Sequence, residues 1–141
     1  MVYGFVSTTV TPAALIFMGQ HQEENEKLLK NGYSDDVWFH VDKMSSAHVY
    51  LNLPHGMTID SIPEDLLEDC CQLVKKNSIH GSKLETTTVV YTTRQNLKKT
   101  KKMASGEVGF HNMSLIKTRI VSKTKNSAGI LARLEKTRLK S

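Results

Sequence analysis

The sequence predicts an α+β fold: a mainly antiparallel sheet with one long helix packed on a face and short flanking helices. Three observations carry this. In Val37–Val41 and Val49–Leu53 apolar residues recur with a period of two, placing Val37, Phe39, Val41, Val49, Leu51 and Leu53 on one face. Leu66, Leu67, Cys70, Leu73 and Val74 instead recur at helical spacing. Thr86–Thr92 is a β-branched run suited to a pleated, half-buried surface.

Each element follows from its own residues. Val2–Thr9 and Ala13–Met18 read as strands, with Pro12 forcing a bend between them. Glu23–Lys30 places acids first and bases last with Gly32 just beyond, as a short helix prefers. The two alternating strands come next, joined by Asp42–Ala47, and Pro54-His55-Gly56 closes the second. Ser61 and Glu64 form a capping-box pattern with an early Pro63, so the main helix should start there and run to Lys75-Lys76. Glu107–His111 and Ile116–Val121 are shorter strands, while Gly106 and Gly109 fit a bend and a close backbone approach. Ser127–Leu139 reads as a last helix whose narrow stripe of Ile130, Leu131 and Leu134 either docks it or starts a coiled coil. The organisation expected is one domain over residues 1–125 and a C-terminal helix over 126–141.

A chain of 141 residues with 39% hydrophobic content suits a single core. The apolar run Ala13–Met18 is far too short to span a membrane, and no basic segment precedes it as in a secretory leader. Cys70 and Cys71 are adjacent, which suits neither an ordinary disulfide nor the separated ligand pairs of a zinc site. A cytoplasmic or nuclear protein is expected, with no metal and no cofactor. Charge is segregated: residues 1–90 carry 6 Lys/Arg against 12 Asp/Glu, and residues 91–141 carry 13 against 2. A cationic third of this kind attracts polyanions, RNA and DNA alike.

Three groups could recognise such a partner. On the second face of the alternating strands lie Trp38, His40, His48, Tyr50 and Asn52, and unstacked bases can lie on aromatic or imidazole rings. A lone Trp in a small domain ordinarily serves its core, so Trp38 is read as core first and as platform second; His40 and His48 fit either role. The Asp42–Ala47 connection holds Lys43, Ser45 and Ser46, which could meet a phosphate or simply close a turn. Arg94, Lys98, Lys99, Lys101 and Lys102 form a basic run suited to following a phosphate backbone, and Lys117, Arg119, Lys123 and Lys125 add a second strip. No nucleophile elbow, HExxH or phosphate-binding P-loop is present, so no catalytic residue is assigned and enzyme activity ranks behind binding.

The run DVWFHVDKMSSAHVYL, with ENEKLLKNGY before it and IPEDLLEDCCQLVKKNSIHGSK, VVYTTRQNLKKT, GEVGFH and LARLEKTR after it, resembles the NFACT-R domain over nearly the whole chain. The resemblance implies a non-catalytic RNA-binding module in translation or ribosome quality control, with tRNA, rRNA or the ribosome as partners. It raises the functional reading of Ser45, Ser46 and His48, whose segment is the most distinctive piece of the match. It also implies a charged helix continuing past Ser141, through which a homodimer could form. DNA binding, or a protein-interaction module acting through a coiled coil, are the rival readings.

Overall fold

The computed structural model describes residues 2–104 and 107–140, the last by its backbone. Strands β1 (Tyr3–Ser7), β2 (Ala14–Gly19), β3 (Val37–Val41), β4 (His48–Asn52), β5 (Thr86–Thr93), β8 (Lys117–Ser122) and β9 (Leu139–Lys140) form one seven-stranded sheet. Their order is β8-β5-β3-β4-β2-β1-β9, and every neighbouring pair is antiparallel. Strands β6 (Leu97–Lys98) and β7 (Gly109–Phe110) make a separate two-stranded ribbon. The helices are α1 (Gln22–Lys30), α2 (Glu64–Lys76) and α3 (Ser127–Glu135).

The predicted alternation fixes the register of the central strands. Val37 pairs with Leu51 and Phe39 with Val49, and their side chains, with Val41, meet Leu66, Cys70 and Val74 of α2 in the main core, all fully buried. Phe39 stacks on Tyr91 with ring centroids 5.2 Å apart. Each fully buried apolar side chain of this kind contributes about 1.5–3 kcal/mol. Cys70 and Cys71 are core residues, and burial pushes both thiols up.

The sequence leaves the second face open between core and recognition surface. That face is covered as well, by Leu28 and Leu29 of α1 and by Leu97, Val108 and Phe110 of the β6–β7 ribbon, which pack on Trp38, Tyr50, Phe17 and Val90. Gly19 permits this close docking of α1: a Cβ there would lie 2.5 Å from Asn25 Oδ1 and 3.0 Å from helix backbone. Gly32, at φ +116, turns the chain out of α1 beside Asp36 and Arg94.

Two boundaries differ from the sequence expectation. The capping box is made by Thr58 and Ser61 around the short 3-10 turn Ile59–Ser61, whereas α2 begins after Pro63 without a side-chain cap. Pro63 at φ −61 in extended conformation separates the two, so Glu64 opens the helix instead of closing a box with Ser61. The last helix stops at Glu135, short of Leu139. Thr137 Oγ1 donates to the Leu134 carbonyl and accepts from Val6 N–H (2.6 and 2.9 Å), and Leu139–Lys140 then pair with Gly4 and Tyr3. The expected continuation of a charged helix through Leu139 is therefore replaced by a strand added to the sheet edge. α3 packs on α2 and β1. Among the described residues no helix is long and apolar enough to cross a membrane.

Candidate nucleic-acid interface

Where β3 and β5 pass beneath the β6–β7 ribbon, the sheet leaves a pocket of about 540 Å³. Its lining includes Trp38, His40 and His48 from the sheet, Lys43 from the β3–β4 turn, Val108 and Phe110 from the ribbon, and Met113 and Ile116 from the segment leading into β8. The volume lies within the roughly 300–1,000 Å³ of small-molecule sites, and an apolar lining with a few convergent polar groups is their usual make-up.

The histidines have defined roles. Trp38 Nε1–H donates to His48 Nδ1 at 3.1 Å, so neutral His48 carries its proton on Nε2. Burial, reinforced by the neighbouring His40, holds the His48 pKa down to about 3. His40 Nδ1 lies 2.6 Å from the Val41 carbonyl; a carbonyl only accepts, so Nδ1 is the protonated nitrogen and Nε2 is left as an acceptor. Burial lowers the His40 pKa too, against the Val41 carbonyl and Asp42. His40 is half-buried and stacks on Trp38, centroids 5.5 Å apart and planes 17° from parallel, while Phe110 meets Trp38 edge-on at 5.6 Å. Trp38 itself is 3% exposed. It forms the floor of the pocket and is not an open stacking platform, because α1 and the ribbon close that face.

The β3–β4 turn divides the functional roles expected of it. Ser46 Oγ accepts from Val41 N–H and donates to the Ala47 carbonyl (3.1 and 2.9 Å), closing the turn. Ser45 is exposed, and its carbonyl accepts from Ser78 Oγ at 2.7 Å. Lys43 is exposed at φ +62, a left-handed conformation costly for a residue with a Cβ, and stands at the pocket.

The basic run is split likewise. Arg94 donates to the Leu29 and Asn31 carbonyls at the end of α1 and lies over the Tyr50 ring, 5.0 Å from its centroid; it is an anchor for α1. Lys99 Nζ donates to the Ala104 and Glu107 carbonyls (2.5 and 2.8 Å) and pairs with Glu26 at 3.1 Å. It folds the loop, leaving Lys98, Lys101 and Lys102 exposed around it. Gly106 lies outside the described residues; Gly109 does make a close approach, since a Cβ would sit 3.2 Å from Met103 Cε. The ribbon ties that loop to the pocket wall, Leu97 pairing with Phe110 and Lys98 with Gly109 beside Glu107 and Val108.

Half of the second basic strip is neutralised. Lys117 pairs with Asp60 at 2.7 Å, and Arg119 with Glu64 and Glu68 at 2.9 and 3.2 Å. Lys123 and Lys125 remain exposed. Segregation along the chain thus overstates segregation in space, because the fold brings the basic third back onto the acidic part. Met113 and Ile116 line the pocket without any sequence motif that marks them, whereas Val90, Val108 and Phe110 lie in VVYTTRQNLKKT and GEVGFH, segments that carry the resemblance without giving these residues a role. Among the described residues no group of three His, Cys, Asp or Glu side chains is placed to hold a metal ion.

Comparison with known proteins bears on this surface. Residues 1–112 match the model of the NFACT protein RNA binding domain. Coiled-coil domain-containing protein 25 of Danio rerio is 51% identical over 98% of this chain and 66% of its own length. Its Dictyostelium discoideum homolog is 47% identical over 93% of this chain and 63% of its own length. Protein JLP2 of Saccharomyces cerevisiae is 41% identical over 99% and 68% respectively. The chain spans about 66% of the length of the Danio rerio relative. The C-terminal part of a fibronectin/fibrinogen-binding protein from Streptococcus suis superposes with a TM-score of 0.74 over 96% of this chain and 48% of that one, at 16% identity, which shows a shared fold. A family model covering most of the chain, and relatives of this identity along almost all of it, place the chain in the NFACT RNA-binding domain family.

Proposed function

We propose that this domain binds structured RNA such as tRNA or rRNA, in a translation or ribosome-quality-control setting and hence where ribosomes work, in the cytoplasm. Membership of an RNA-binding domain family supports a nucleic-acid-binding role. The observation that carries the reading is the pairing of Lys98 with Gly109 in the ribbon that walls the aromatic and imidazole pocket, with Lys101 and Lys102 on the same loop and Lys43 among the lining residues. Exposed ammonium groups neutralise phosphates and release counterions, while the pocket supplies the selective contact. Lys99 and Arg94 act by holding the loop and α1 in place.

Replacing Lys98, Lys101 and Lys102 together by Ala tests this. Affinity for a labelled tRNA should fall on the order of tenfold, and the slope of log affinity against log salt should become shallower by about 2, one increment of roughly 0.7–0.9 for each phosphate that is no longer neutralised. Fluorescence anisotropy at several salt concentrations reads both. An unchanged slope would remove the loop from the interface. Equal affinity and equal salt dependence for duplex DNA would reduce the domain to a general polyanion binder.

A further inference from the structure

His40 Nε2 accepts from no described residue, yet His40 lines a pocket of about 540 Å³ whose lining combines the apolar Val90, Val108, Phe110 and Met113 with the polar Asp42, Lys43, Glu107 and Thr118. The lone pair of His40 Nε2 repels an anion, so the His40 end of the pocket is not a phosphate site. It suits a flat, neutral heterocycle that brings its own N–H. The groups suited to phosphate are exposed: Lys98, Lys101 and Lys102 on the loop joined to the ribbon, and Lys43 among the lining residues.

We propose that the pocket takes one unpaired nucleobase, splayed out of an RNA strand, whose exocyclic amine donates to His40 Nε2. This rests on the RNA-binding reading above and narrows it from RNA to a particular nucleotide state. Adenine, cytosine and guanine carry such an amine at the Watson–Crick edge; uracil has none and offers only its ring N3–H, flanked by two carbonyl oxygens that the Nε2 lone pair repels. A base paired within a helix cannot reach the floor formed by Trp38, so the recognised feature is a bulge, a loop or an end. The tautomer is set by the protein: the Val41 carbonyl accepts from His40 Nδ1–H at 2.6 Å, so the accepting nitrogen is Nε2 at neutral pH.

The test uses the full chain and three RNA hairpins of one sequence that differ at a single bulged position: adenosine, uridine or an abasic ribose. Fluorescence anisotropy should give about tenfold tighter binding of the adenosine bulge than of the abasic one, within the range of base–aromatic stacking, and uridine should fall between. Thr118 is exposed at the pocket, and Thr118→Trp should abolish the adenosine preference by filling the space. Val108→Trp does the same from the opposite wall and serves if Thr118→Trp does not fold. His40→Phe keeps a ring but removes the acceptor, so it should keep the preference for a base over the abasic site and lose that for adenosine over uridine. Equal binding of all three hairpins by the wild-type protein overturns the pocket proposal and leaves RNA binding standing. No binding of any hairpin overturns both, and a preference that survives both Trp variants places the base elsewhere.

Discussion

Replacing Arg133 by Met should lower the unfolding free energy by about 3 kcal/mol, although Arg133 sits on the last helix and makes no contact with the pocket. The carboxylate of Asp69 is 1% exposed inside the sheet–helix interface, where Arg133 holds it in a two-pronged pair at 2.9 and 2.6 Å and Ser7 Oγ–H donates at 2.7 Å. Removing the arginine strands a buried negative charge with one neutral donor, and breaking a buried pair this way costs roughly 3–5 kcal/mol. The lower end applies because 37% of the Arg133 side chain already meets solvent. The reverse change is milder: in Asp69→Ala the guanidinium can turn outward to water. Removing both partners, as in Asp69→Leu with Arg133→Met, should recover much of the single-variant loss. Urea denaturation measures all three; a loss below about 1 kcal/mol for Arg133→Met would mean the pair is solvated in solution and does not pin α3 to α2.

Acid should destabilise the domain before its carboxylates titrate. His48 has a pKa near 3 when folded, against an ordinary value of 6.5. Between those values the unfolded chain binds a proton that the folded chain refuses, so stability is full above about pH 6.5 and falls as the pH drops toward 3. One such group gives about 1.4 kcal/mol per pH unit, or about 2 kcal/mol between pH 6.5 and 5. His40, lowered by the same burial, acts with the same sign. His48→Gln retains an acceptor for Trp38 Nε1–H and removes the proton, so its stability should vary with pH by close to one proton less. Urea midpoints at pH 5–8 settle it: a wild-type stability flat from pH 7 to 5, or an unaltered slope in His48→Gln, would mean that water reaches the Trp38–His48 pair.

The central strands and α2 were legible because their information is local. Val37, Phe39 and Val41 alternate within five residues, and Leu66 to Val74 keep helical spacing, so each element declares its buried face by itself. What covers the other face of the sheet is not local. Leu28 and Leu29 look like the end of a charged surface helix, and Leu97, Val108 and Phe110 stand apart in a basic loop; only the fold brings them onto Trp38 and Tyr50. Trp38 therefore reads correctly as a core residue, but its place as a pocket floor depends on contacts from distant segments. The same limit applies to charge. Arg94, Lys99, Lys117 and Arg119 look equivalent to their neighbours in the sequence, yet each is tied to carbonyls or carboxylates more than 50 residues away or across a loop. Lys98, Lys101 and Lys102 are set apart by lacking such ties among the described residues. At the C-terminus, apolar spacing through Leu134 pointed to a helix, and the hydroxyl of Thr137 ends it.

The most direct test of the interface is amide NMR mapping of the chain titrated with an RNA hairpin bearing an unpaired base. The account predicts that the largest shifts fall on Asp42–Met44, Lys98–Lys102 and Val108–Phe110, with α2 and α3 unaffected. Shifts confined to α2, α3 or the β1–β9 edge would contradict it and place the nucleic acid away from the pocket.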